Sequence, residues 1–275
     1  MRLFILFCTL FATLVVSPAW AQEADPLKTE LIWQRERLDE EIATVKRSYQ
    51  GQLEEYLYKD KLFRIAYDQH KELQTLAAIE DMVNKGRELA LIRGEVLSSY
   101  LNLLRLQLIV TEGIELSLKQ ARLTRLEDTL NYLAAHQQTL LAATDRDSLA
   151  QALTQFSADQ ARVLPDLANE VQVLLAVGNL QMIHDKSIVL KRDIDQLLQE
   201  SDKSQQANVE RASSETKRSL EAAKMKLDAF WTEAVLRGGT GRYLAGFYES
   251  LPRTLNPIYV NLSQSISYLG ELLTF

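Results

Sequence analysis

The stretch IATVKRSYQGQLEEYLYKDKLFRIAYDQHKELQTLA, residues Ile42–Ala77, repeats with a period of seven. One row is Ile42, Tyr49, Tyr56, Phe63, His70 and Ala77. Three residues after each of the first five stand Val45, Gln52, Lys59, Ala66 and Leu73, and Leu31 and Leu38 extend this second row backwards. Spacing that alternates three and four keeps both rows on one side of an α-helix, the geometry of a coiled coil. Gln52, Lys59 and His70 make that seam partly polar.

The surrounding sequence points the same way. Leu27 to Leu164 contains no proline and only four glycines, Gly51, Gly86, Gly94 and Gly113. Proline inside a helix removes a backbone hydrogen bond and clashes with the preceding turn. Its absence, in a stretch rich in Leu, Ala, Glu, Gln, Lys and Arg, predicts long helices. No segment reads as a strand. The expected fold is all-α: an elongated helical bundle with long coiled-coil helices.

The spacing predicts a first helix from Pro26 to about Val83, roughly 85 Å long at 1.5 Å per residue. Asp25 and Pro26 suit its cap and first position. Asn84-Lys85-Gly86 reads as the first break. A second helix follows to Val110, ended by Thr111-Glu112-Gly113. Its segment Val96–Val110 is apolar but short for a membrane span and carries Asn102, Arg105 and Gln107, so it reads as the buried centre of the bundle. A third helix runs from Ile114 to near Ala143, and Thr144-Asp145 can cap a short fourth. Pro165 marks the next boundary, and Asp166 or the preceding turn begins a fifth helix. The polar stretch from Gln199 to Ser219 reads first as its solvated continuation and second as a mobile helical connector. It carries a thin apolar line at Val209, Ala212, Leu220, Ala223, Leu227 and Phe230. Arg237-Gly238-Gly239-Thr240-Gly241-Arg242 reads as a loop. Beyond it come a short helix from Tyr243 to Leu251, closed by Pro252, and a last helix started by Asn256-Pro257. That last helix should bury Ile258, Leu262, Ile266, Leu269 and Leu273.

The chain opens with Arg2, an apolar run from Leu3 to Val16, and Ala19-Trp20-Ala21. These are the parts of a cleavable secretory signal, with cleavage expected after Ala21. The domain scheme is therefore a signal at 1–21, a long coiled-coil helix at 22–83, a helical bundle at 84–236 including the polar helix around 199–219, and a glycine loop with amphipathic helices at 237–275. The single cysteine, Cys8, falls inside the signal, so the exported chain would rely on packing and not on disulfides. Loss of residues 1–21 removes one base, Arg2, and no acid, moving the formal charge from −6 to −7. That charge argues against nucleic acid as the main partner, because phosphate binding needs a concentrated basic surface.

No motif for a catalytic nucleophile, a phosphate loop or a helix-borne zinc site appears. Gly238-Gly239-Thr240-Gly241 lacks the preceding strand and the Lys-Ser/Thr pair that a phosphate loop needs. His70, His136 and His184 each lack a second ligand at helical spacing. No cofactor and no metal is expected. The candidate interaction surface is the aromatic row Ile42, Tyr49, Tyr56 and Phe63, since aromatic side chains bury large areas at small entropic cost. The expected function is an exported, non-catalytic structural or interaction protein in the periplasm or at the cell surface. Its partner is itself or another helical protein, through coiled-coil contacts. The first alternative is a membrane-active helical protein, pore-forming or surface-binding, suggested by Val96–Val110 and the aromatic C-terminus. The C-terminal helix has few basic residues on its polar face, which favours docking on the bundle over membrane contact. The second alternative is an exported all-α enzyme.

Overall fold

The computed structural model describes residues 26–161, 163–200, 206–232 and 247–274. Among them it forms seven helices and no strand: α1 (Pro26–Leu73), α2 (Leu76–Val110), α3 (Leu116–Ala142), α4 (Arg146–Gln160), α5 (Val163–Glu200), α6 (Ala207–Trp231) and α7 (Phe247–Leu272). The protein is an all-α bundle. The signal expected at 1–21, the cap expected at Asp25, the loop expected at 237–242 and the start of the helix expected from Tyr243 lie outside the described residues.

The chain divides into two units, Met1–Asp39 and Glu40–Phe275. In the first, the described residues form the opening turns of α1, where Gln34 Nε2 donates to Glu30 Oε1 at 3.0 Å and Trp33 is exposed. In the second, α5 is the common element. Its Leu167, Ala168, Val171 and Leu174 join Leu101, Leu104 and Leu108 of α2, Leu126 and Leu133 of α3, and Phe156 of α4 in one core. Its Val173, Val177 and Leu180 join Leu220, Ala223, Leu227 and Phe230 of α6 and Ile258 and Leu262 of α7 in another. Near its end, Ile194 and Leu198 close a third cluster with Val209, Ala212, Leu269 and Leu272.

The sequence around each turn explains where the helices stop. Thr111 caps α2, and Lys119 Nζ reaches back from α3 to donate to the carbonyls of Ile109 (2.7 Å) and Thr111 (2.9 Å). Such carbonyls have no partner inside their own helix. Burial holds the Lys119 ammonium below its usual range. Asp145 caps α4 through a reciprocal pair with Ser148. At Gly113 the backbone takes φ +75°, and a Cβ there would stand 2.5 Å from the carbonyl oxygen of Gly178. A Cβ on Gly178 would in turn stand 2.5 Å from Ile114. These two glycines let the α2–α3 turn lie directly on the backbone of α5.

Four expectations are corrected. α1 ends at Leu73, not near Val83, and α2 runs through Asn84-Lys85-Gly86 without a break. The true turn is at Gln74, in the left-handed region at φ 50°, followed by Thr75, whose hydroxyl accepts from the amide of Ala78. α5 does not continue through the polar stretch: it ends at Glu200, and Gln206 starts α6 with extended backbone at φ −71°, ψ 132°. The predicted apolar line of that stretch is nonetheless buried throughout. Pro252 and Pro257 both lie inside the single helix α7, which is held on α6 by Ile258, Leu262, Leu269 and Leu272. Finally, the buried line of α7 includes Ser265 and Leu272 in place of Ile266 and Leu273, which are 49% and 63% exposed.

Replacing Gly113 with alanine should destabilise the fold by about 2–4 kcal/mol, from a left-handed backbone plus steric overlap with α5. Urea denaturation checks this: a change below half a kcal/mol would show that the turn does not depend on the close approach.

Candidate functional site

The aromatic row predicted as an interaction surface faces α2. Tyr49 and Tyr100 bring their ring centroids to 5.8 Å. Phe63 lies over Gly86, where a Cβ would stand 3.2 Å from Phe63 Cε2. Lys59 Nζ pairs with Glu88 Oε2 at 2.7 Å. Position numbers of facing residues add to between 147 and 149, so α1 and α2 form an antiparallel hairpin. The same register sets Tyr56 level with Arg93 and Ile42 level with Gln107. Glu40 is level with Ile109, the penultimate residue of α2. Ile42, Tyr49, Tyr56 and Phe63 are all half-buried, as are Val45, Gln52 and Lys59, and Ala66 is fully buried. From Ile42 to Ala66 the two heptad rows are therefore the side of α1 turned to α2, while Leu73 is 63% exposed and Ala77 belongs to α2. Gly86 is a contact glycine in mid-helix, which is why it read as a break: the lack of a side chain looks the same in sequence for either purpose.

The seam is held unevenly. Lys59 is the first of the groups that keep the Glu88 carboxyl below its usual range, and Lys85 adds to it. Gln52 Oε1 and His70 Nδ1 are buried and meet no hydrogen-bond partner among the described residues. Buried polar atoms without partners weaken a contact. The opposite side of α1 carries large apolar residues in the open: Leu57, Tyr58 and Ile65 are 60%, 59% and 46% exposed.

The three histidines are not brought together. His70 belongs to the α1 seam. His136 of α3 stacks on Phe156 of α4 at 4.6 Å and on Tyr132 at 6.4 Å. Beside it, Tyr132 Oη donates to Asp159 Oδ2 at 2.9 Å. His184 is buried in α5 with Nδ1 3.0 Å from Asp185 Oδ1. Among the described residues no three His, Cys, Asp or Glu side chains converge as metal ligands would. Val96–Val110 is in the bundle centre as expected, with Leu101, Leu104, Leu106 and Leu108 buried.

An open cleft of about 180 Å³ is lined by Gly113, Val177, Gln181, Lys224, Asp228 and Trp231. Glu115 also lines it, and Lys224 Nζ pairs with Asp228 Oδ1 at 2.8 Å and donates to Gln181 Oε1 at 3.4 Å.

Gly86→Leu should push Phe63 aside and release α1. Hydrogen exchange should then quicken in residues 56–66 while α3 and α5 keep their protection. Gly51, whose Cβ position is open, serves as the control: Gly51→Ala should leave exchange unchanged or slow it. Equal quickening in every helix of the Gly86→Leu variant would show instead that α1 is not a separable element. Burial against Phe156 and Tyr132 pushes the His136 pKa below its ordinary 6.5. The unfolded chain binds a proton near that value while the folded chain resists, so stability should fall as pH drops below about 6.5. His136→Leu should flatten this slope in urea titrations between pH 7.5 and 5.5; an unchanged slope would place the proton uptake elsewhere.

Compared with known proteins, the chain matches no family model, no curated protein and no solved structure.

Proposed function

We propose that this protein is an exported, non-catalytic helical interaction module of the periplasm or cell surface. Its α1–α2 hairpin binds another helical protein or a second copy by coiled-coil-like contact. Support for export comes from Arg2, the apolar run Leu3–Val16 and Ala19-Trp20-Ala21. Support for the interaction role comes from one observation, the way α1 is held. Its inward rows pack on α2, while Tyr58 and Ile65, seven positions apart and so on one side of the helix, stand in the open beside Leu57. A row of exposed large apolar side chains on a helix is the usual form of a helix-binding surface. The inner aromatic row serves the hairpin, so the contact surface moves from Tyr49, Tyr56 and Phe63 to the outer side of the same helix.

A membrane-contacting reading draws on α5, which is long and apolar enough to cross a bilayer by length and composition. A core helix meets the same test, and the Leu167, Val171, Val173, Leu174, Val177 and Leu180 side chains of α5 are buried against its neighbours. The interaction reading is therefore preferred.

A photo-cross-linking residue placed at Tyr58 or Ile65 in cells should join the protein to one dominant partner. The same residue at Glu127, on the exposed side of α3, should not. Equal, diffuse labelling from all three positions would overturn the proposal.

A further inference from the structure

The side of α1 that faces away from α2 carries four exposed charges at intervals of seven: Arg47, Glu54, Lys61 and Asp68. Residues seven apart stay close to one line along a helix, and at 100° per residue all four lie within about 30° of it. The exposed Leu57 and Tyr58 flank this line at about 50° to either side, and Ile65 lies about 30° from it. Charges and apolar side chains therefore share one face, opposite the rows that pack on α2.

The charges alternate in sign, and pairing within the helix does not account for them. Arg47, Glu54 and Lys61 each lack an opposite charge three or four positions away. Asp68 has two such neighbours, but Arg64 pairs with Asp60 at 2.9 Å and Lys71 stands over the Tyr67 ring at 4.5 Å. None of the four is in an ion pair among the described residues. Their order is instead self-complementary. The position numbers of Arg47 and Asp68, and those of Glu54 and Lys61, add to the same value, 115. A second copy of α1 laid antiparallel on this face, with its midpoint between Leu57 and Tyr58, therefore sets every one of these charges level with an opposite one. A parallel copy in register sets each against its own sign. A surface fitted to an unrelated helix has no need of this symmetry.

Gly51 is an independent observation on the same face. Glycine in mid-helix costs stability, and no neighbour among the described residues requires it, since a Cβ there would meet nothing within 4 Å. In the antiparallel register Ile65 of the second copy lies one position from level with Gly51 and on the same side of the seam. The missing side chain makes room for that isoleucine. Beside the axis, Leu57 meets Leu57 and Tyr58 meets Tyr58 of the other copy. We propose that this protein pairs with a second copy of itself through the outer side of α1, antiparallel about a twofold axis between Leu57 and Tyr58, with Arg47–Asp68 and Glu54–Lys61 pairs setting the register. This rests on the reading of that side of α1 as a binding surface and names its occupant. Complementary charges fix register and partner choice more than affinity, and the interface is isologous, as closed dimers require.

Sedimentation of the purified protein should show a dimer forming at micromolar concentration. Glu54→Lys and Lys61→Glu each replace two attractive pairs with two repulsive ones, and each should weaken association by about tenfold. Both residues are exposed, so circular dichroism should show the parental helix content in either variant. An equimolar mixture of the two should associate as strongly as the parent, because each supplies the charge that the other has lost. A parent that stays monomeric at high micromolar concentration would overturn the proposal, and so would a mixture that associates no better than its components. In cells, a photo-cross-linking residue at Tyr58 separates this proposal from the broader reading of α1. An adduct between two copies supports it. A single dominant adduct with a different protein overturns self-pairing and leaves the outer side of α1 as a binding surface, whereas diffuse labelling overturns both.

Discussion

Everything after α1 depends on the burial of α5 on two sides. A single helix that offers Leu167, Val171 and Leu174 to α2, α3 and α4, and Val173, Val177 and Leu180 to α6 and α7, joins two cores that would otherwise be separate small bundles. This is why α5 is apolar around most of its circumference and resembles a membrane helix by composition. The close contact at Gly113 and Gly178 fixes where along α5 the α2–α3 turn sits. Burying these side chains is the main favourable term, at roughly 1.5–3 kcal/mol for each large aliphatic residue removed from water. With Cys8 confined to the first residues, no disulfide supplements that packing.

Helices with a strong apolar period were legible in the sequence, and so were ends marked by recognisable caps. Thr111 at the end of α2 and Asp145 at the start of α4 are where their chemistry placed them. The turn at Gln74-Thr75 was missed because it uses neither glycine nor proline. Its only signal is a threonine able to accept from Ala78, and threonine occurs as often inside such sequences. Gly86 misled in the opposite sense, since a glycine that admits the Phe63 ring looks like a glycine that ends a helix. Tertiary packing also overrode local preference in α7, where contacts with α6 carry a helix past Pro252 and Pro257. The shift of the buried line from Ile266 to Ser265 is a one-residue difference in phase. Ser265 is accommodated because its hydroxyl donates to the carbonyl of Leu262, so burial leaves no orphaned donor.

The candidate surface was legible as a row and not as an orientation. Heptad spacing identifies which residues of α1 share a side, but an internal hairpin and a contact between chains produce the same spacing. What distinguishes them is the position of the turn. With the turn at Gln74, α2 supplies the partner for Tyr49 and Phe63, and the interaction surface proposed above is accordingly one outside the rows. The polar members of the seam fit this arrangement. Lys59 finds Glu88, whereas among the described residues Gln52 Oε1 and His70 Nδ1 meet no hydrogen-bond partner, which weakens the hold on α1.

The hairpin is therefore the claim on which the functional account turns, and one distance tests it most directly. Glu54 of α1 and Glu95 of α2 are exposed and level with each other in the antiparallel register. Spin labels at these two positions, read by pulsed electron paramagnetic resonance, should lie within roughly 25 Å, given helix axes 8–10 Å apart and the reach of the labels. A helix running unbroken through Gln74 would separate them by about 60 Å at 1.5 Å per residue. The short distance is the predicted result. The long one would free the Tyr49, Tyr56 and Phe63 row for a partner and contradict the account.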